Sequence, residues 1–488
     1  MRRLNVPAGS VGRAVGALSL IETLRAAFAE ALSNLAIVET GSDGAHWAAP
    51  VVALHGEPVA TSVVGEDAVA VARSVVAGNG DAGHATYLQA QERRLLARAG
   101  QIDPTSIDEA REDGAYEGLA VARDMTSAEV LARVEAAGLR GRGGAYFPVH
   151  LKWQAAIDAR ARNGRPLLVV NAEEGEPGVF KDRVLMESDP HRLVEGVIIA
   201  CQAIDADHAY IYINGQADLS AQRVAQAVED SRAADLLGDL VIELRRGAGG
   251  YVCGEETVIL ESIEGRRAVP RLRPPFPTER GLFDHPTVIN NVETLANLPD
   301  LFRYGADWFR EVGSEDAPGT KLISLSGALP RPGLIEVPMG TTFAQILEIG
   351  GAGDLLGAVA GGPSGGLLPS SKFDVAIAPG ALDPAGAVLG AGGIVAFDSA
   401  FGAAEVLRVQ ASYNAAESCG KCTPCREGGE RLADAIERLR TGDVAAQDDI
   451  DELIAVMRGA SLCGLGQMAV SPVTSALQDF SDEIGVQA

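Results

Sequence analysis

Four cysteines near the carboxyl end constrain the fold of this 488-residue chain more than any other feature. Cys419, Cys422 and Cys425 are separated by two residues each, and Cys463 follows later in Ser461-Leu-Cys-Gly-Leu-Gly. Three thiolates at this spacing, with a fourth from a distant segment, are typical of a 4Fe–4S cluster. A structural zinc site is the alternative, although zinc sites more often pair two CxxC knuckles. The spacing therefore favours an iron–sulfur site.

Charge and hydropathy exclude several other classes of protein. The chain has 41 Lys and Arg against 66 Asp and Glu, and phosphate backbones demand clustered basic residues, so we expect no nucleic acid partner. No apolar run reaches the roughly 20 residues of a membrane span, and the start lacks a convincing signal-peptide cleavage site. We therefore expect a cytoplasmic protein with no direct membrane insertion. Cys201 and Cys253 stand alone and are predicted to be buried structural thiols.

The pattern of apolar residues predicts an α/β protein with several domains. In the first part, a helix-period stretch from Leu18 to Leu35 precedes strands at Pro50–Leu54 and Pro58–Val64 and a helix at Glu66–Val76. This ending resembles half of a thioredoxin-like unit, but without cysteines it cannot hold a cluster. The predicted parts are 1–90, a degenerate thioredoxin-like region; 91–127, a helical linker; 128–318, an α/β domain; 319–402, a small β-rich domain; and 403–488, a helical domain with the cysteines.

Within residues 128–318, strands alternate with helix-like stretches. Strands are predicted at Leu167–Asn171, Ala209–Ile213 and Leu240–Leu244. In an α/β sheet, ligands usually bind in the loops at the carboxyl ends of strands. The loops of this segment are therefore the first place to look for a ligand site.

A glycine-rich segment from Gly138 to Pro148 precedes these strands. Glycines let the backbone approach an anion, and Arg140 and Arg142 supply positive charge, so the segment could be a phosphate loop. It does not match the dinucleotide fingerprint G-x-G-x-x-G, because Tyr146 stands where the third glycine belongs. An ordinary Rossmann site is therefore not expected.

Three polar loops could meet a ligand rich in hydroxyl and amide groups. They are Asn171-Ala-Glu-Glu-Gly-Glu-Pro-Gly178, Gly249-Gly-Tyr-Val-Cys-Gly-Glu-Glu-Thr257 and Val288-Ile-Asn-Asn-Val-Glu-Thr294. A solvated acidic turn remains the alternative for the first loop. Between the second and third loops, five arginines from 266 to 280 face a single glutamate, which predicts an anionic ligand, an acidic partner or a solvated face.

Taken together, these strings resemble the flavoprotein subunit of NADH:quinone oxidoreductase and its soluble relatives. The matching strings, in the order of the family, are GLRGRGGAYFP, NAEEGEPG, FKDR, GGYVCGEET, RPPFP, INNVET, GGPSGG and ESCGKCTPCREG. The resemblance implies an α/β domain that binds FMN and NADH, a ubiquitin-like domain at 319–402 and a helical 4Fe–4S domain. It also implies hydride exchange between NAD(H) and FMN, with single electrons passing to or from the cluster. No side chain is expected to act as a general acid or base.

The resemblance further implies site residues, position by position. Those implied for FMN are Gly141, Arg142, Gly143, Gly144, Lys152, Asn171, Glu173, Glu174, Tyr251, Gly254, Glu255, Asn290, Asn291 and Thr294. Those implied for NADH are Phe147, Glu176, Glu256, Arg273 and Phe276. The implied cluster ligands are Cys419, Cys422, Cys425 and Cys463.

The chain departs from the family pattern beside the implied nucleotide site. Tyr146 replaces a usual glycine, and Val149-His150 replaces the usual Thr-Gly. Glu173 stands where Asp is common, and Arg273 where Lys is common. Tyr146 adds bulk at an implied stacking site, so nicotinamide access or nucleotide affinity is the property that these changes are expected to affect most.

The first 125 residues do not fit the plain respiratory subunit. They resemble the diaphorase, or beta, subunits of NAD-dependent formate dehydrogenases and NAD-reducing hydrogenases. The implied partners are a thioredoxin-like 2Fe–2S subunit and either an iron–sulfur/molybdenum or a hydrogenase catalytic subunit. The alternatives are the flavoprotein subunit of respiratory complex I and a scaffold subunit that kept the fold but lost catalysis.

Overall fold

The computed structural model describes residues 2–28, 35–57, 60–63 and 67–484. Its first unit is a four-stranded sheet in the order β2-β1-β3-β4, in which β1 is parallel to β2 and antiparallel to β3. Its elements are β1 (Arg2–Pro7), α1 (Ser10–Ala14), α2 (Ala17–Phe28), β2 (Leu35–Thr40), β3 (Val51–Leu54), β4 (Ala60–Ser62), α3 (Ala68–Val76) and α4 (Ala82–Gln89). Helices α2 and α3 pack apolar side chains on this sheet, which gives the unit a core of its own.

Sequence patterning predicted only part of this unit. The expected strand at Pro50 begins at Val51, and strand β1 was missed. The expected helix end at Leu35 is wrong because Leu35 begins β2 beside β1; residues 29–34 lie outside the described part of the chain. Of the strand expected from Pro58 to Val64, residues 58, 59 and 64 lie outside the described ranges, as does Glu66 of the next expected helix.

Residues 91–127 contain two short helices, α5 (Ile107–Glu112) and α6 (Glu117–Arg123). Before them, Leu95, Leu96 and Ile102 are buried in the same core as the central sheet. This segment therefore contributes side chains to the core of the neighbouring domain, and its role as a linker stays a prediction.

The central sheet has four parallel strands in the order β7-β6-β5-β8. Its elements are α7 (Ser127–Ala137), α8 (Val149–Asn163), β5 (Leu167–Ala172), α9 (Lys181–Ser188), α10 (Pro190–Ile204), β6 (His208–Ile213), α11 (Asp218–Ala233), β7 (Val241–Arg246), α12 (Glu256–Ile263), β8 (Thr287–Asn291), α13 (Val292–Ala296), α14 (Leu298–Tyr304) and α15 (Ala306–Arg310). The strand order reverses between β5 and β8, and such a switch point opens a crevice at the carboxyl ends of the strands. The predicted strands are present, and the α/β class is confirmed.

A mixed five-stranded sheet follows in the order β10-β9-β13-β11-β12. Its elements are β9 (Thr320–Gly327), β10 (Gly333–Pro338), α16 (Phe343–Ile349), β11 (Gly357–Ala360), β12 (Gly366–Pro369) and β13 (Gly393–Phe397). The remaining helices are α17 (Ala403–Ala416), α18 (Thr423–Arg440), α19 (Ala446–Ala460), α20 (Gly464–Met468), α21 (Ser471–Asp479) and α22 (Ser481–Ile484). Among the described residues, no helix combines the length and apolar character that a membrane crossing requires.

Candidate active site and cluster site

Side chains at the carboxyl ends of β5 and β8 join the polar loops of the central domain. Asn171 donates its side-chain N–H to the carbonyl of Gly254 at 3.0 Å, and Asn291 donates to the carbonyl of Asn171 at 3.4 Å. The buried indole of Trp153 donates to Oδ1 of Asn290 at 2.8 Å, which orients that amide. The structure therefore brings the three loops together at the switch point of the sheet.

The glycine-rich loop lies against the end of β8. It is closed by a hydrogen bond from the N–H of Gly141 to the carbonyl of Phe147 at 2.9 Å. The N–H of Arg142 donates to Oγ1 of Thr294 at 2.8 Å. A Cβ at Gly143 would lie 2.9 Å from Cβ of Asn291, so this close approach requires glycine.

The arginines of this loop hold the loop itself in place. The buried guanidinium of Arg142 donates to the carbonyls of Pro318 at 2.6 Å and Thr320 at 3.1 Å. Nε of Arg140 donates to the carbonyl of Asp316 at 2.7 Å. Both side chains donate to backbone carbonyls, and the expectation that their charge favours a phosphate stays a prediction. What the loop offers an anion is its glycine backbone.

The three glutamates after β5 have different environments. Glu174 accepts the N–H groups of Asp182 at 2.7 Å and Arg183 at 2.9 Å, so it caps the start of α9. Oε1 of Glu173 accepts from the side-chain amide of Asn214 at 2.5 Å. Oε2 of Glu173 and Oε1 of Glu176 are buried and have no hydrogen-bond partner among the described residues.

Burial sets the protonation of these two glutamates. It raises the pKa of Glu173 to about 7, although the hydrogen bond from Asn214 opposes this. It also raises the pKa of Glu176 to about 7 against the nearby charges of Lys181 and Lys321. Buried polar atoms are rarely left without partners in a native structure. A ligand rich in hydroxyl and amide groups fits these two oxygens.

The loop after β7 combines a turn with a helix start. Glu255 accepts the N–H groups of Thr257 at 2.9 Å and Val258 at 3.1 Å, and its other oxygen lies 3.3 Å from a guanidinium nitrogen of Arg273. Glu256 forms an ion pair with Lys152. Glu255 therefore caps α12 as well as facing the crevice.

The remaining residues of the implied nucleotide site lie at its rim. Nζ of Lys152 also donates to the carbonyl of Ile289 at 3.1 Å. The rings of Phe147 and Phe276 are 50% and 53% exposed, which is unusual for phenylalanine and leaves both rings available for stacking on a base. Nε2 of His150 on α8 lies 3.9 Å from Glu135 on α7. The substitution at His150 therefore bears on the contact between these two helices.

The arginine run from 266 to 280 is largely neutralised within the chain. Glu261 pairs with Arg266 at 2.7 Å and with Arg271 at 2.5 Å. Arg280 pairs with Asp284 at 2.7 Å. The excess positive charge that the sequence suggested is therefore balanced by acids just outside the run.

The β-rich domain supplies one wall of the crevice, which sequence reasoning missed. The phenol of Tyr251 donates to Oγ of Ser364 at 3.3 Å, and the phenol of Tyr146 donates to the carbonyl of Gly390 at 3.1 Å. Tyr146 has φ 52, an uncommon conformation for a residue with a side chain, and its ring is buried in the core of the β-rich domain. A Cβ at Gly362 would clash with the carboxylate of Glu176. The GGPSGG string was the available signal for this wall.

The cysteines converge beside the turn at 251–254. Cys422 immediately precedes α18, Cys425 lies in its first turn, and Cys463 immediately precedes α20. Cys422, Cys425 and Cys463 pack together with Tyr251 and Val252. The turn at 251–254 is therefore in direct contact with three of the four cysteines.

Backbone contacts fix the cysteine loop to the central domain. The carbonyl of Cys419 accepts from Arg267 at 3.0 Å, and the N–H of Tyr251 donates to Glu417 at 2.7 Å. Burial raises the pKa of Cys463 to about 11, so this thiol must lose a proton when it binds metal. Within the described ranges, no three His, Cys, Asp or Glu side chains meet the geometry for one metal ion.

Comparison with known proteins gives the family. Residues 134–300 match the model of the Nuo51 FMN-binding domain, and residues 405–487 match the iron–sulfur binding region of NADH-ubiquinone oxidoreductase F. The NADP-reducing hydrogenase subunit HndC of Solidesulfovibrio fructosivorans is 40% identical over 415 residues, covering 82% of this chain and 84% of that protein. The F subunit of NADH-quinone oxidoreductase from Streptomyces coelicolor is 41% identical over 393 residues, covering 78% of this chain and 87% of that protein.

A solved structure is similar over nearly the whole chain. The crystal structure of an NAD+-reducing [NiFe]-hydrogenase in the H2-reduced state contains a chain with a TM-score of 0.73 and 30% sequence identity. The match covers 99% of this chain and 84% of that chain. It therefore includes the unit built on β1 to β4 as well as the central sheet.

Fold and site together define a flavoprotein that exchanges electrons between a nicotinamide nucleotide and an iron–sulfur cluster. The chain belongs to the family of NADH-dehydrogenase flavoprotein subunits that includes HndC and the F subunit of NADH-quinone oxidoreductase. FMN and a 4Fe–4S cluster are its cofactors, NAD(H) is its substrate, and it works within a multi-subunit complex. The predicted family, enzyme class and cofactors are confirmed, and the zinc alternative is wrong.

Proposed function

We propose that this chain is the diaphorase subunit of a cytoplasmic complex whose catalytic subunit is of the hydrogenase or formate dehydrogenase type. The observation that carries this proposal is the N-terminal unit. The similarity to the NAD+-reducing hydrogenase extends over it, because 99% of the chain is covered.

Topology supports the proposed domain identities. A sheet in the order β2-β1-β3-β4, with β1 parallel to β2, is the arrangement of a thioredoxin-like unit, here without cysteines. The mixed sheet of residues 319–402 is proposed as the ubiquitin-like domain, and residues 403–488 as the cluster domain. The proposed partner for the N-terminal side is a thioredoxin-like 2Fe–2S subunit.

We propose that FMN occupies the crevice at the carboxyl ends of β5 and β8. When bound, FMN accepts hydride from NADH and releases electrons one at a time. The residues proposed to hold it are the glycines of the 141–144 loop, Glu173, and the amides of Asn171, Asn290 and Asn291. Glu174 and Glu255 support this site from their places as helix caps, and Lys152 borders it through its pair with Glu256.

We propose that NADH lies at the exposed rim of the same crevice. Phe147 and Phe276 provide rings for the adenine, Arg273 provides positive charge, and Glu176 and Glu256 face the polar parts of the nucleotide. The four cysteines hold the cluster on the other side of the turn at 251–254. The packing of Tyr251 and Val252 on three of these thiols supports direct passage of electrons.

The first experiment tests the site in the full chain. The anaerobically purified protein should be yellow-brown, contain one FMN and four iron atoms per chain, and reduce ferricyanide with NADH. FMN and iron without this activity would favour the scaffold alternative. Absence of both cofactors after reconstitution would refute the proposed sites.

The second experiment tests the parent complex. The native complex should contain nickel or molybdenum and reduce NAD+ with hydrogen or with formate. A complex that lacks both metals and passes electrons from NADH to a quinone would instead identify a respiratory complex.

A further inference from the structure

Two lysines and two carboxylates form a buried cluster behind the proposed flavin site. Lys181 and Lys321 are 0% exposed, and Glu293 and Asp182 are 0% and 4% exposed. Nζ of Lys321 lies 2.6 Å from Oε2 of Glu293, and Nζ of Lys181 lies 3.1 Å from the same oxygen. Lys181 also lies 2.7 Å from Asp182. The formal charges of these two lysines and two carboxylates therefore sum to zero, and all four groups are shielded from solvent.

This lysine–carboxylate cluster holds an amide of the proposed flavin site. Nζ of Lys181 donates to Oδ1 of Asn291 at 3.0 Å, and Nδ2 of Asn291 donates to Asp182 at 2.6 Å. Both ends of the Asn291 amide are thus fixed. Cβ of Asn291 in turn forms the surface against which Gly143 packs.

Lys321 brings the β-rich domain into the cluster. It lies on β9, whereas the other three groups lie on α9 and α13. Lys321 also donates to the carbonyl of Leu322 at 2.8 Å, and the N–H of Leu322 donates to Glu293 at 2.9 Å. Strand β9 therefore contributes both a charge and a backbone donor.

Other charged groups face the cluster from neighbouring loops. Arg142 faces Glu293, Glu174 faces Lys181 and Asp182, and Glu176 faces both lysines. Burying ion pairs costs desolvation energy, and well-packed apolar residues would often be as stable. Stability alone therefore does not account for four buried charges at this place, which points to a further function.

We propose that Lys321 is a positioning residue that, through Glu293 and Lys181, fixes Asn291 and sets the reduction potential of the bound flavin. This inference rests on the proposed placement of FMN beside Asn291. Two-electron reduction of flavin with uptake of one proton adds one negative charge to the site. A cluster of neutral total charge neither favours nor opposes that added charge, whereas an unbalanced cluster does.

The sign of each substitution follows from this charge count. Lys321→Met leaves the cluster with one excess negative charge, so the reduced flavin is disfavoured. Glu293→Gln leaves one excess positive charge and favours the reduced flavin. At an effective dielectric constant near 20, one unit of charge one or two side chains away changes the ratio of reduced to oxidised flavin by about tenfold.

The test is a mediated redox titration of flavin absorbance in the full chain, without nucleotide. At a fixed potential, the reduced-to-oxidised ratio should fall about tenfold in Lys321→Met and rise about tenfold in Glu293→Gln. The double variant, which is again neutral, should return to within about twofold of the wild type. Lys372→Met is the control. Lys372 lies in the same β-rich domain as Lys321 but pairs with Asp479 on α21, at 2.7 Å, and not with the cluster.

The opposite signs separate an electrostatic role from a merely structural one. Equal potentials in the wild type and both single variants, or shifts of the same sign in both, would overturn the proposal. If Lys321→Met does not retain flavin, the reduced-to-oxidised ratio of Glu293→Gln is compared with that of the double variant. The ratio should be about tenfold higher in Glu293→Gln, and equal ratios would overturn the proposal. A wild-type protein that binds no flavin would instead refute the proposed site.

Discussion

Substitution of Glu176 by glutamine tests how the crevice binds nucleotide. The buried Oε1 of Glu176 has no partner in the described part of the chain, and Gly362 lies directly against this carboxylate. Burial raises the pKa of Glu176 from 4.5 to about 7. The group is therefore about 90% protonated at pH 6 and about 90% charged at pH 8. Glutamine keeps the shape of the side chain but has no ionisable proton in this pH range.

The expected magnitude follows from the charge that appears between these pH values. NADH carries two phosphate charges, and at an effective dielectric constant of 20 a carboxylate repels one phosphate charge by about 2 kcal/mol if the two are about 8 Å apart. Because 1.4 kcal/mol is a factor of ten and a single proton is involved, the dissociation constant of NADH should rise by about eightfold from pH 6 to pH 8. In Glu176→Gln that rise should be nearly absent.

Stopped-flow reduction of the flavin separates affinity from rate. In the wild type, the half-saturating NADH concentration should rise from pH 6 to pH 8 as Glu176 loses its proton. The rate at saturating NADH should change by no more than about twofold across this range, in the wild type and in Glu176→Gln. Glu348→Gln, a change at an exposed carboxylate of the β-rich domain, is the matched control. The reasoning is refuted if the saturating rate collapses while affinity is unchanged, or if the variant keeps the full pH dependence.

Three further predictions test other parts of the molecule. Gly362→Ala places a Cβ against Glu176 at φ 67, so the half-saturating NADH concentration should rise at least tenfold while FMN and iron are retained; an unchanged value in stopped flow would contradict this. Cys425→Ser should abolish the electron paramagnetic resonance signal of the reduced cluster but leave flavin reduction by NADH intact. Asp43→Asn should lower the free energy of unfolding by about 2 kcal/mol near pH 6, as measured by denaturant titration, because burial of Asp43 is outweighed by His84, which lowers its pKa from 3.8 to about 2. The stabilisation that comes from ionised Asp43 should be lost as pH falls through about 2. The stabilisation that comes from protonated His84 is lost at the other end, as pH rises above 6.5 through the raised pKa of His84 in the folded protein.

The central sheet and its loops were predictable because their signals are local. The apolar run from Leu167 to Val170 is buried on both faces, as expected for a parallel strand between two layers of helices. Asn171 and Asn290 lie at the carboxyl ends of β5 and β8, and the turn at Tyr251 begins a few residues after β7, so their meeting at one edge follows from the topology. Strand β1 was missed because Arg2 and Arg3 hide a short apolar stretch that only pairing with β2 and β3 defines.

The structural role of each individual residue in the site was not predictable from motifs. Glu174 and Glu255 were expected to face a ligand, and their carboxylates also cap α9 and α12. Glu255 immediately precedes α12, and a carboxylate there is a recognisable capping signal, whereas Glu174 lies seven residues before the start of α9. The contacts of Tyr146 with Gly390 and of Tyr251 with Ser364 join residues more than 100 positions apart, and no local pattern encodes them.

The turn at 251–254 explains why the flavin and cluster sites occur in one chain. Its backbone N–H at Tyr251 is held by Glu417, its phenol is held by Ser364, and its side chains pack on the cysteines. One four-residue turn therefore touches the central sheet, the β-rich domain and the cluster helices. Electron transfer weakens steeply with distance, so fixing this turn from three sides keeps the two redox sites at one separation. The β-rich domain, which holds Ser364, Gly390 and Lys321, thus forms part of the proposed redox site.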